Sequence, residues 1–219
     1  MYKHIRMRGT SWHTHPLLCL SVSVGQSKHE GHELRAAIDW IGATGKPWII
    51  DLSDTLQRHN LLGQPLPAAH AEMQRRGDQW LDCNADLLAR ALHAPEIVRW
   101  DRWLDDPRFA ETHAAVRRAA ATDAGFASAI AHDVEKFTAR GDGRQRAASI
   151  AFIWEECAAL SLLGRDYNCC RIYPGHELQA LQYLRAHAAH ITTGYDRIGY
   201  DRFSIETRNI PHIPVQNRA

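Results

Sequence analysis

Residues 17 to 24 are apolar at every position except two serines, and the chain then turns at Val24-Gly25-Gln26-Ser27. Such a run, closed by turn residues, predicts a buried strand leaving a sheet. Leu34, Ile38 and Ile41 follow at i, i+4 and i+7. This helical repeat is stopped by Gly42 and Gly45-Lys46-Pro47 before a second apolar run, 48 to 52. Strand, helix and strand in this order predict a parallel βαβ unit. The middle, from about 67 to 137, has helical spacing with breaks near residues 65 to 67, at Ala94-Pro95 and at Asp106-Pro107, and Gly141-Asp142-Gly143 closes it. Residues 147 to 163 predict a helix apolar almost all round, 169 to 173 a short strand, 175 to about 187 a helix and 200 to 208 a late strand. The near-repeat after Gly194 is too short for a solenoid, and Pro211 and Pro214 mark a surface tail. The expected fold is α/β, a mainly parallel sheet flanked by helices, with residues 1 to 219 forming one domain.

Composition narrows the classes. Lys and Arg number 26 against 25 Asp and Glu, so no long-range positive field marks a nucleic-acid partner, and any RNA contact must be local. Nearly all the basic residues are arginine, with lysine only at 3, 28, 46 and 136. Five cysteines without a C-x-x-C pair indicate neither a disulfide framework nor a zinc ribbon, and fit a reducing cytoplasm. No apolar run is read as approaching the roughly 20 residues that span a bilayer, so a soluble cytoplasmic protein is expected.

Candidate chemistry concentrates at a few positions. Ser23 ends the first strand just before a helix, where open α/β sheets bind ligands; it is either a nucleophile or a helix-capping serine. No G-x-S-x-G elbow surrounds it. Glu155 and Glu156 are adjacent in the apolar helix and cannot both reach water, so one is half of an internal ion pair or a proton-transfer group. Tyr173, held extended by Pro174, stands either at the same sheet rim as Ser23 or in the core. His13-Thr-His15 and His29-Glu-Gly-His32 raise a metal site, but no further ligand set accompanies them and they read as a solvated polar face. No metal and no cofactor are predicted.

The run Leu20-Ser-Val-Ser23-Val-Gly-Gln26, the segment Ser53-Asp-Thr-Leu-Gln-Arg-His59, Phe152-x-x-x-Glu156 and Arg171-Ile-Tyr173-Pro174 together resemble the cyclodipeptide synthases, in order and spacing, over most of the chain. The resemblance implies a single Rossmann-like domain similar to the catalytic domain of class I tyrosyl- and tryptophanyl-tRNA synthetases, without their ATP-binding signatures. It implies a ping-pong reaction in which Ser23 takes an aminoacyl group from one aminoacyl-tRNA, a dipeptidyl enzyme forms with a second, and cyclisation releases a diketopiperazine. Glu156 then binds the substrate ammonium and moves its proton, and Tyr173 orients the acyl group. Gln26, Tyr173 and Pro174 correspond to the X-Tyr-Pro subfamily. Two positions depart from the pattern: Ser21 replaces a glycine, and Phe152 replaces a tyrosine whose hydroxyl helps hold the amino group, a task left to Glu156 or Glu155.

By the same correspondence a first aminoacyl pocket is lined by Cys19, Ser21, Asp51, Trp100, Ala159 and Arg171, and a second lies near Asp133 and Arg140. Asp51 implies a cationic side chain such as arginine or histidine, with an acidic or polar partner, unless Asp51 and Arg171 simply pair with each other. Aminoacyl-tRNAs are the implied partners, with no stable protein partner and no membrane. Their docking draws on Arg75, Arg76, Arg90, Arg117, Arg118, Arg140, Arg144 and Arg146, although the stretch 70 to 92 is less basic than the other subfamily's equivalent. Competing readings are a serine or metal-assisted hydrolase, which needs a histidine base near Ser23 or a completed metal site, and a non-catalytic tRNA-binding module.

Overall fold

The computed structural model describes residues 5–8, 11–139, 145–187 and 194–200. In chain order the elements are β1 (Ile5–Arg8), α1 (Ser11–Thr14), β2 (Leu17–Ser23), a 3-10 turn at Ser27–His29, α2 (Gly31–Ala43), β3 (Trp48–Ser53) and a 3-10 helix at Thr55–Asn60. Then come α3 (Leu66–Ala89), β4 (Glu96–Arg99), α4 (Asp101–Leu104), α5 (Phe109–Thr122), α6 (Ala124–Thr138), α7 (Arg146–Asp166), β5 (Cys169–Tyr173), α8 (Gln179–His187) and β6 (Gly194–Tyr200). The strands form one sheet in the order β1-β6-β5-β2-β3-β4. β1 runs antiparallel to β6 and every other pairing is parallel. The chain winds outward from β2 through β3 to β4, then returns to place β5 on the other flank of β2. A topological switch point therefore lies between β2 and β5, the place where α/β sheets open a crevice at their carboxyl ends.

The period of two along each strand sorts the two faces. Leu18, Leu20, Val22, Ile50, Leu52, Cys170 and Ile172 join one apolar cluster with Leu34, Ile38 and Ile41 of α2 and Met73 and Trp80 of α3. The alternate residues face α7: Cys19, Ile49, Val98 and Cys169 pack with Ile153, Cys157, Ala158 and Leu162. On that same face and nearer the carboxyl rim stand Ser21, Ser23, Asp51, Arg171 and Tyr173 in place of further aliphatic residues.

Four elements differ from the sequence expectation. β4 forms where a helix break was read, because Ala94-Pro95 precedes only four residues of strand. α8 starts at Gln179 rather than 175: the Tyr173 ring covers Gly175, and the buried Asp133 carboxylate accepts the Gln179 and Ala180 amides at 3.0 and 2.9 Å to cap the helix. The late strand is β6, ending at Tyr200; residues 201–208 and the tail lie outside the described residues. α7, with 21 residues and a hydropathy of 1.4, is long and apolar enough to cross a membrane, contrary to the sequence reading, yet 61% of its most apolar window is buried inside the protein.

α3 reaches the site region through one glycine. A Cβ at Gly77 would overlap Asp54 Oδ2 and lie 2.7 Å from Arg99 Nη2. Asp54 is fully buried, caps the 3-10 helix through the Thr55 amide at 2.8 Å and pairs with Arg99. Gly77→Ala gains helix propensity but must push this ion pair apart, and should lower stability by about 1–3 kcal/mol in urea denaturation. Unchanged or increased stability would show that the helix can shift freely.

Candidate active site

At the switch point opens a pocket of about 250 Å³. β2 supplies Ser23, followed by Gln26, Ser27, Lys28 and His29; β5 supplies Arg171 and Tyr173, followed by Pro174 to Leu178. Glu156 and Phe152 of α7 form the side facing the sheet, and Gln57, Phe137 and Leu181 complete the wall. Of the residues singled out in the sequence, Ser23, Gln26, Phe152, Glu156, Arg171, Tyr173 and Pro174 thus meet in one cavity.

Ser23 sits where β2 ends, and the turn after it is closed by the Gln26 amide donating to the Ser23 carbonyl at 3.2 Å. Gly25 in that turn has φ +83°, a left-handed conformation that favours glycine. His29, from the 3-10 turn, folds back so that the Ser23 N–H donates to its Nδ1 at 2.6 Å. The same imidazole lies edge-to-face on Tyr173, with ring centroids 5.2 Å apart. A Cβ at Gly175 would sit inside contact distance of the Tyr173 ring, so the bare glycine completes the ring's seat. His29 is only 3% exposed, which overturns its reading as a solvated residue; His32 is exposed. Burial above all pushes the His29 pKa down to about 4, so the ring is neutral.

The two glutamates separate as adjacent helical residues must, about 100° apart. Glu155 points away from the pocket into a buried ion pair. Arg58 Nη1 donates to its Oε1 at 2.7 Å and Arg58 Nη2 binds Oε2, while His59 Nε2 lies 3.1 Å from Oε2 and Trp100 Nε1 donates to Oε1 at 2.8 Å. Against the cost of burial, His59 and Arg58 hold the Glu155 pKa below the usual carboxylate range. Glu156 instead faces the cavity. Burial pushes its pKa up to about 7, with Arg171 opposing and Asp51 reinforcing the rise. A carboxyl that titrates near neutrality suits proton transfer.

That shift carries a stability signature. The folded state holds the Glu156 proton up to about pH 7, so its favourable contribution is present below the ordinary carboxylate range and is lost as pH rises through 7. Wild type should lose on the order of 2–3 kcal/mol between pH 5 and 8 through this group. Glu156→Gln should flatten that part of the curve, as urea unfolding at pH 5, 6.5 and 8 would read. Parallel curves for the two proteins would sink the assignment.

Other expected lining residues lie elsewhere. Cys19, Ser21, Asp51, Trp100 and Ala159 are buried in the packed interior and do not line the cavity. Arg171 Nε donates to Ser21 Oγ at 3.1 Å, and Arg171 is the main charge opposing Asp51, whose pKa burial raises to about 6. Asp51 and Arg171 thus oppose each other inside the protein. Asp133 is occupied as the α8 cap, and Arg140 lies outside the described residues, as does Arg144. Arg75 and Arg76 both bind Glu72, and Arg117 lies over the Trp154 ring at 5.2 Å. His15 is held by the Ser11 carbonyl at 2.7 Å. Among the described residues, no three His, Cys, Asp or Glu side chains converge as a metal-ligand set.

Sequence reasoning missed Lys28, Gln57, His176 and Glu177 at the pocket. Gln57 was within a quoted motif. Glu177 left no periodic signal: it is a loop residue whose carboxylate pairs with Arg185 and, through burial first, has its pKa raised.

No protein-family model matches this sequence, and no curated protein does. Solved structures do match. A CDPS (cyclodipeptide synthase) from Fluoribacter dumoffii superposes with a TM-score of 0.81 at 22% identity, covering 92% of this chain and 100% of that one. A cyclodipeptide synthase from Candidatus Glomeribacter gigasporarum, solved bound to Phe-tRNAPhe, gives 0.65 at 15% identity over 93% and 92% of the two chains. Tyrosyl-tRNA synthetase from Archaeoglobus fulgidus gives 0.57 at 12% identity, over 85% of this chain and 55% of that one. At these identities the likeness establishes the fold: a Rossmann-like α/β sheet of the class these proteins share.

Proposed function

We propose that this chain is a tRNA-dependent cyclodipeptide synthase, an aminoacyltransferase of the X-Tyr-Pro subfamily, acting as one catalytic unit in the cytoplasm. The observation that carries the reading is the convergence of Ser23, Glu156 and Tyr173, from three distant stretches of chain, on one pocket at the switch point. The structural likeness to a synthase solved with a charged tRNA supports it.

On this reading the Ser23 Oγ attacks the aminoacyl carbonyl, and the departing ribose hydroxyl of the tRNA takes up a proton. The ester is already activated, so a serine without a histidine base suffices. The amine of the Ser23-bound residue then attacks the ester carbonyl of a second aminoacyl-tRNA, forming the peptide bond and expelling that tRNA, whose ribose oxygen takes up a proton. This needs a free amine, and Glu156, titrating near 7, holds the ammonium and accepts its proton. Tyr173 orients the acyl group. The new terminal amine finally closes on the Ser23 ester, releasing the diketopiperazine and the serine hydroxyl.

We extend the reading to substrates of polar or charged side chain, arginine or histidine with an acidic partner. Gln26, Gln57, Arg171, His176 and Glu177 give the wall this polarity, and Glu156, a second acidic group facing the cavity, is opposed only in part by Arg171. Mass spectrometry of medium from a host expressing the protein tests the function without presuming the product. A diketopiperazine supports it, and one with a charged residue supports the extension. No product, even from purified protein with a full set of charged tRNAs, favours a tRNA-binding module. The hydrolase reading loses support because His29, six residues from Ser23, sets its Nδ1 against the Ser23 backbone, 2.6 Å from the amide nitrogen and 3.1 Å from the carbonyl oxygen.

A further inference from the structure

We propose that His29 is a positioning residue for acyl transfer, one imidazole that fixes both the loop of the nucleophile and the ring of Tyr173. The inference rests on the function proposed above and adds a residue that the motifs did not include. Two independent contacts carry it. The Ser23 N–H donates to His29 Nδ1 at 2.6 Å, and the ring edge meets Tyr173 at 5.2 Å between centroids.

Nδ1 lies 2.6 Å from the Ser23 amide nitrogen and 3.1 Å from the Ser23 carbonyl oxygen; the shorter contact assigns the lone pair to Nδ1 and the proton of the neutral ring to Nε2, which is buried without a hydrogen-bond partner among the described residues. His29 is itself held from behind, because Trp80 Nε1 of α3 donates to its backbone carbonyl at 3.0 Å. The 3-10 turn therefore cannot swing without breaking that bond. A backbone amide held this way places the Ser23 Cα, and with it Oγ, relative to a tyrosine 150 positions further along the chain. It also occupies the nucleophile's own amide, which chymotrypsin-type proteases use in their oxyanion hole, so the developing oxyanion must be met by other donors.

Two substitutions separate the contacts. His29→Phe keeps a ring against Tyr173 and removes the acceptor, whereas His29→Asn keeps an acceptor near the Nδ1 position and removes the ring. In single-turnover mixing with charged tRNA, followed by intact-protein mass, His29→Phe should form the Ser23 adduct about 10–100-fold more slowly with unchanged tRNA affinity. His29→Asn should recover most of that rate. Nitrogen-15 correlation spectra of the wild-type ring should show the Nε2–H tautomer, a readout that requires no variant to fold. A Nδ1–H tautomer, a wild-type rate in His29→Phe, or no recovery in His29→Asn overturns the proposal alone. If wild type itself forms no adduct with any charged tRNA, the acyl-transfer function falls and this inference falls with it.

Discussion

Ser23→Ala should abolish the cyclic product and the covalent adduct together, a loss on the order of 10³-fold or more. On the proposed function the hydroxyl is the acyl carrier, and without it two aminoacyl esters must react directly inside a pocket of about 250 Å³. The fold should tolerate the change, since the contact with His29 uses the Ser23 backbone amide and the turn uses its carbonyl. Thermal unfolding within a degree or two of wild type would confirm that chemistry alone is lost. Ser27→Ala is the matched control in the same cavity and should retain activity. Product persisting in Ser23→Ala, or an adduct mapped by peptide mass to another side chain, would overturn the assignment of the nucleophile.

Glu155→Ala should lower stability by about 3–5 kcal/mol, the range for breaking a buried ion pair by removing one partner. Arg58 and Glu155 are less than a tenth exposed, and the loss of the carboxylate leaves Arg58, His59 and Trp100 Nε1 without their shared acceptor. Urea denaturation at pH 7 reads the effect. Because the Glu155 pKa is lowered, its contribution is present above the ordinary carboxylate range and fades as pH falls through the lowered value. The contrast with its neighbour is diagnostic: Glu155 substitutions should show first as instability, and Glu156→Gln first as lost turnover. Equal stability of Glu155→Ala and wild type would mean that the pair contributes nothing net.

The three central strands were legible because each is an apolar run bounded by turn residues, and the register of β2 with β3 and β5 follows from their parallel packing. Ser23 and Tyr173 were legible as strand-end positions. What the sequence left open was which glutamate faces which way: the helix is apolar all round, so no polar stripe orients it, and only Arg58 and Trp100 on one side and Arg171 on the other decide. β4 was missed because four residues after a proline carry too little pattern. The place of His29 was illegible for a different reason. Its neighbourhood in sequence is polar, and its burial comes from Tyr173 and Trp80, both remote along the chain. The expected aminoacyl-pocket lining was transferred by correspondence; of those among the described residues Arg171 alone reaches the cavity, and its Nε donates to Ser21 Oγ.

The strand order also has a consequence for how the protein is made. β2, bearing Ser23, is an interior strand, but the neighbour on one of its flanks, β5, is encoded more than a hundred residues downstream of β3. During synthesis at about 5–20 residues per second, β2 to β4 leave the ribosome on the order of ten seconds before β5. For that interval the strand bearing Ser23 is an edge, with unpaired amides and carbonyls on its open side and the apolar helix α7 emerging beside it. The same late insertion that creates the crevice makes the nascent chain most vulnerable to self-association at the strand that bears Ser23.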